Sequence, residues 1–74
     1  MTTAARVMAV IGRATWKPVA PEMRLEADLG MDSLDRMELC IGLEVAFNIQ
    51  IDDAEQERWH TVADVIQCVS SLSS

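Results

Sequence analysis

The chain has 74 residues, half of them apolar, and carries a formal net charge of −6. So short a chain makes one small domain, residues 1–74, that buries little more than about 60% of its unfolded surface, and its apolar half excludes intrinsic disorder. No apolar run approaches the ~20 residues of a membrane span, and Met1-Thr2-Thr3 lacks the charged and apolar regions of a secretion signal, so a cytoplasmic protein without a membrane partner is expected.

Periodicity predicts four helices and no strand, an all-α antiparallel bundle of three longer helices and one short one. The first spans about residues 3–14, with Ala4, Val7, Met8, Ile11 and Ala14 at helical spacing. Thr2 or Thr3 caps it, and Trp16-Lys17-Pro18 ends it, because the residue before proline avoids the helical region. Residues 16–32 form a long loop with two prolines, pinned to the core by Leu25, Ala27 and Leu29. Loops of this length in small domains tend to be functional.

The second helix starts near Asp32-Ser33 and runs to Phe47 or Asn48. Advancing ~100° per residue, Leu39, Leu43, Ala46 and Phe47 form a core-facing stripe. Leu34, Met37, Ile41 and Val45 gather on nearly the opposite side, flanked by Glu38 and Glu44. A helix in a small bundle needs one apolar face, so the second face reads either as a helix buried all round or as an exposed ridge that receives partners. Four short helices can hardly enclose one of their number on every side, which favours the ridge. A short third helix fits Asp53–Trp59, with Asp52 and Glu55 at capping-box spacing. The last runs from Thr61 to about Leu72 on a stripe of Val62, Val65, Ile66, Val69 and Leu72, and Ser70–Ser74 reads as a fraying tail.

Charge divides along the chain. Residues 1–24 sum to +3 and residues 25–74 to −9. An acidic body repels nucleic acid and anionic lipid and suits partners with basic surfaces, although acidic residues also serve plain solubility. Within residues 28–44, Asp28, Asp32, Asp35, Glu38 and Glu44 face Arg36 alone. Asp32 and Asp35 complement the positive end of the helix macrodipole, but Glu38 and Glu44 lie too far along for that explanation. Cys40, Cys68 and His60 lack metal-ligand spacing, so no metal site is expected and both cysteines read as buried free thiols.

Asp32 is a good N-cap, with Asp35 three residues later as in a capping box. If Asp32 caps, Ser33 is the first helical residue, its hydroxyl is released from capping, and it projects beside the long loop. A phosphodiester on that oxygen would meet unpaired backbone N–H groups and the positive end of the dipole. Gly30 supplies a flexible turn through which a large enzyme could reach the hydroxyl. By position alone, however, a serine here is an ordinary helix-start residue.

Asp28-Leu29-Gly30-Met31-Asp32-Ser33-Leu34-Asp35 resembles the D-L-G-x-D-S-L-D signature of acyl carrier proteins. The similarity continues through Glu38-Leu39, Leu43-Glu44, Phe47, Ile51 and Thr61-Val62. The resemblance implies that Ser33 bears 4′-phosphopantetheine, derived from coenzyme A, whose thiol carries acyl groups as thioesters to fatty-acid, lipid or polyketide biosynthetic enzymes. It implies that a phosphopantetheinyl transferase reads Asp32 and Leu34. Asp35, Glu38 and Glu44 would pair with basic patches on synthases and acyltransferases, and Met37 and Ile41 would add apolar contact. Leu43, Ile51 and Trp59 would line an acyl cavity in a monomeric bundle that is a carrier and not itself an enzyme. Arg36, Val45-Ala46, Asp52 and Trp59 depart from the usual pattern and favour a specialised carrier. The Trp59 indole either fills the cavity or swings outward, and filling is favoured.

Three other readings follow from the same residues. An aminoacyl or peptidyl carrier would share fold and arm, but more often has Gly-Gly-His-Ser where this chain has Gly30-Met31-Asp32-Ser33. An unmodified helical adaptor would use the Leu34–Val45 ridge alone. An enzyme with Ser33 as nucleophile would need His60 as its base, and no Gly-x-Ser-x-Gly elbow is present.

Overall fold

The computed structural model describes residues 2–73 and contains four helices: α1 (Thr3–Thr15), α2 (Ser33–Phe47), α3 (Asp53–Glu57) and α4 (Val62–Ser73). Thr2 caps α1, its hydroxyl accepting the Ala5 N–H. Trp16 closes α1 in the left-handed region with φ of 59° and donates its N–H to Gly12. α1 runs antiparallel to α2, since Arg6 near the start of α1 donates to the Ala46 carbonyl near the end of α2 at 2.8 Å.

The core is drawn from three of the helices and from the connections between them. α1 contributes Val7, Val10 and Ile11, α2 contributes Leu39, Cys40 and Leu43, and α4 contributes Val62, Val65 and Val69. Leu25, Leu29 and Met31 enter from the long loop, and Ile51 and Trp59 flank α3. No polar or charged side chain is buried among the described residues. The loop is ordered because its backbone groups find partners. Leu25 donates to His60, Val62 to Met23 and Ala63 to Pro21, each at 2.9 Å. This satisfies polar groups that a loop packed on the core could not leave bare.

Several expectations are corrected. Ala27 is exposed, and Met31 joins Leu25 and Leu29 as the loop's buried anchors. Ala46 is exposed and Phe47 half-buried, while Cys40 takes the buried position. The seam is set by where α1 lies, with Val10 facing Gly42, where an added Cβ would stand at an ordinary 3.4 Å, and with Arg6 covering the Phe47 ring at 4.2 Å. α3 ends at Glu57 rather than Trp59, and Asp52 makes no side-chain cap. The Glu55 carboxylate instead accepts from the Cys68 thiol at 2.8 Å. Cys68 is half-buried. Leu72 is 38% exposed, because α4 outruns the bundle. Ser70–Ser73 are helical rather than frayed, and Ser74, like Met1, lies outside the described residues. α4 also has a cap that periodicity does not reveal, in which Thr61 and Asp64 exchange side-chain to backbone hydrogen bonds at 3.2 and 3.0 Å.

Candidate functional site

The approach to Ser33 is set by a closed turn. Gly30 donates to the Glu26 carbonyl and Met31 to that of Leu25, both at 3.0 Å, with Gly30 at a φ of 67°. The two bonds nest one inside the other and close residues 25–31 into a tight turn, with Leu25 and Met31 both buried. Asp28 fastens the start of the same turn by accepting the Arg24 N–H at 2.7 Å, and that bond holds its carboxyl below the usual carboxylate range. Gly30 is therefore a fixed left-handed corner rather than a flexible hinge.

The chain leaves that corner directly into the cap. Asp32 accepts the Asp35 N–H at 2.9 Å, and Asp35 accepts the Asp32 N–H at 3.2 Å. With the capping box complete, Ser33 is the first residue of α2, exposed and relieved of capping. The N–H groups of Ser33 and Leu34 fall in the first turn, where no intrahelical acceptor exists. An anion on the Ser33 oxygen would find those donors and the dipole. The hydroxyl opens onto a groove of about 430 Å³ lined by Glu26, Ser33, Arg36, Asp53, Gln56 and Glu57. An exposed, uncommitted hydroxyl, free donors and open space fit a bulky phosphodiester.

Along α2 the second apolar face lies open. Leu34, Met37, Ile41 and Val45 are between 55% and 78% exposed. Glu38 stands exposed beside them. The other carboxylates are less free. Asp35 is held in the capping box, and Glu44 accepts the Ile51 N–H at 2.9 Å, closing the turn after α2.

Leu43, Ile51 and Trp59, expected around an interior cavity, are all buried. The Trp59 indole points inward and is 1% exposed, with its N–H lacking a hydrogen-bond acceptor. Burial, followed by the hydrogen bond to the Glu55 carboxylate, pushes the Cys68 thiol up to about 11. Burial likewise raises Cys40, followed by the charges of Glu44 and Asp53. Ser33 and His60 line separate grooves. The main chain of His60 is engaged, its carbonyl by Leu25 and its N–H by Asp64. Among groove residues, Glu26, Asp53, Gln56 and Glu57 carry no local sequence signal that would mark them. Arg36 is marked by being the one base among five acids.

Residues 4–69 match the family model described as the phosphopantetheine attachment site. The chain is 45% identical to the acyl carrier protein of Wolinella succinogenes over 53 residues, 72% of this chain and 70% of that one. It belongs to the acyl carrier protein family. Among solved structures, a Mycobacterium tuberculosis chain assigned as an acyl carrier protein superposes with a TM-score of 0.89 at 29% identity, covering 95% of this chain and 97% of that one. A chain in the ishigamide ketosynthase/chain length factor structure matches in fold, with a TM-score of 0.80 at 21% identity over 95% and 92% of the two chains. As an acyl carrier protein, this chain takes 4′-phosphopantetheine as its prosthetic group and delivers acyl groups to biosynthetic enzymes. No helix among the described residues is long and apolar enough to cross a membrane.

Proposed function

We propose that Ser33 is the attachment point of the arm and that α2 is the face partner enzymes read. What carries this reading is the reciprocal Asp32–Asp35 cap, which leaves the Ser33 hydroxyl exposed at a helix start without a structural task. The arm supplies a terminal thiol that holds acyl groups as thioesters. The rest is done by the chain. Gly30 and the capping box fix where Ser33 stands, and the first-turn N–H groups favour the phosphate's charge. Asp32 and Leu34, on either side of the serine, are what a phosphopantetheinyl transferase meets first.

The Leu34, Met37, Ile41 and Val45 ridge with Glu38 at its edge suits a partner surface combining apolar hollows and basic side chains. Asp35 and Glu44 add field at that surface while tied to their backbone partners. Condensing and acyl-transferring synthases fit that description, and the second fold relative above comes from a structure named for such an enzyme. On this reading the chain is a monomeric, single-domain cytoplasmic carrier, and the bond-making is done by its partners.

The deciding experiment is intact mass after incubation with coenzyme A and a broad-specificity phosphopantetheinyl transferase. One phosphopantetheine is expected on the wild type and none on Ser33→Ala. An unchanged wild-type mass would overturn the assignment and favour an unmodified adaptor.

A further inference from the structure

Arg36 lies one turn into α2 and lines the groove beside Ser33, yet its side chain is only 17% exposed. It reaches across the opening between α2 and α3. Its Nη2 donates to the Gln56 carbonyl and, at 2.8 Å, to the Trp59 carbonyl, while Nη1 lies 3.4 Å from Glu26. The planar guanidinium can span such a set, which a lysine's single ammonium cannot. Bonds from a charged donor are also roughly twice as strong as neutral ones.

What Arg36 grips has little hold of its own. α3 has five residues and buries none of them. So short a helix is unstable alone in water, and its place is set by Ile51 before it, Trp59 after it, the Glu55–Cys68 bond to α4 and the Arg36 bonds at its end. Behind those bonds the interior is occupied, because Trp59 is 1% exposed and Leu25, Leu43 and Val62 are fully buried. The space that remains open to Ser33 is the outer groove, and no aliphatic side chain lines it. A long methylene chain laid there would have little of its apolar surface taken out of water, whereas carbonyls, hydroxyls and amides would find donors and acceptors.

We infer that Arg36 is a specificity-determining residue that latches α3 over Trp59, keeps the cargo out of the core and holds it in the outer polar groove. The carrier is thereby suited to short or oxygen-rich acyl groups rather than long saturated chains. This rests on Ser33 carrying the arm.

Two measurements test it. Amide hydrogen exchange on the apo protein compares wild type with Arg36→Met, which keeps the apolar stem alone, and Arg36→Lys, which keeps stem and charge but loses the planar fork. Exchange of the Arg58 and Trp59 amides, bonded to Glu55 and Gln56, should become about tenfold faster in both variants when the charged bonds are lost, with α1 amides unchanged. Acetyl, hexanoyl and dodecanoyl groups are then loaded on Ser33, with mass confirming each product, and thioester cleavage by hydroxylamine is timed. Wild type should lose all three at rates within about twofold, while Arg36→Met should protect dodecanoyl several-fold, because enclosure removes the thioester from water. A wild type that shields dodecanoyl relative to acetyl overturns the latch, as do Arg58 and Trp59 amides indifferent to Arg36. Failure to load any group would instead remove the Ser33 assignment, and the apo exchange result would still decide whether Arg36 holds α3.

Discussion

Asp32 and Asp35 hold each other's backbone N–H groups across the first turn of α2, at 2.9 and 3.2 Å. Replacing Asp32 with Ala should lower stability by about 1 kcal/mol. It should also slow attachment to Ser33, because the serine becomes the nearest substitute cap. Asp32→Asn retains an accepting oxygen and should be close to wild type in stability. Urea midpoints and the initial rate of mass gain measure the two effects. Equal modification rates for Asp32→Ala and wild type would separate the cap from the serine's availability.

Glu38 and Glu44 should behave differently when reversed in charge. Glu38 is exposed with no structural task, so Glu38→Lys should leave the urea midpoint unchanged while slowing modification and flattening its salt dependence, since attraction to a basic partner is lost. Glu44→Lys should do the same and also destabilise by about 1–3 kcal/mol, because it strands the half-buried Ile51 N–H. A salt series on both variants, set against denaturation curves, checks the distinction. Identical rates for Glu38→Lys and wild type at every salt concentration would exclude Glu38 from docking.

Trp59→Ala should destabilise the apo protein by roughly 3 kcal/mol, as usual for a buried aromatic cut to alanine. Trp59→Phe should cost much less, since it removes a buried N–H that has no acceptor. Trp16 is 91% exposed, so Trp16→Phe leaves an emission spectrum belonging to Trp59 alone. That spectrum should be blue-shifted with or without an acyl group on the arm. Water-exposed emission would show the indole outside the bundle.

The Asp64 carboxylate accepts the His60 and Thr61 N–H groups at 2.9 and 3.0 Å, and these bonds lower its pKa below the usual value. A carboxyl depressed in the folded state contributes stability that is complete above its unfolded value of about 3.9 and is lost as pH falls through the folded value. Stability of the wild type should therefore rise with pH across the acid range. Asp64→Asn, which keeps one accepting oxygen, should flatten part of that slope. Urea midpoints from about pH 3 to 6 measure it, and parallel curves would exclude Asp64 as a contributor.

The ridge on α2 was legible in the sequence because it needs only helical period and charge, and Leu34, Met37, Ile41 and Val45 are all exposed as read. The opposite face was read less well. Whether Cys40 or Ala46 is buried depends on where α1 crosses, which is a matter of packing between helices and not of α2's own period. The loop's anchors were partly legible, but its order comes from backbone bonds to His60, Val62 and Ala63, which leave no residue signature. Arg36 stood out as an isolated positive charge, yet two of its three acceptors are main-chain carbonyls and so are invisible to any reading of side-chain pattern.

The two cysteines bear on how cleanly acyl groups stay where they are put. A thioester is attacked by thiolates rather than thiols. Cys40 is buried with its pKa raised, and the Cys68 thiol, donating to Glu55, ionises only near 11. At neutral pH neither presents a thiolate able to draw an acyl group off the arm onto the bundle. The chain's own thiols are thus poor competitors for the acyl group, which favours its being held and exchanged on the terminal thiol of the arm.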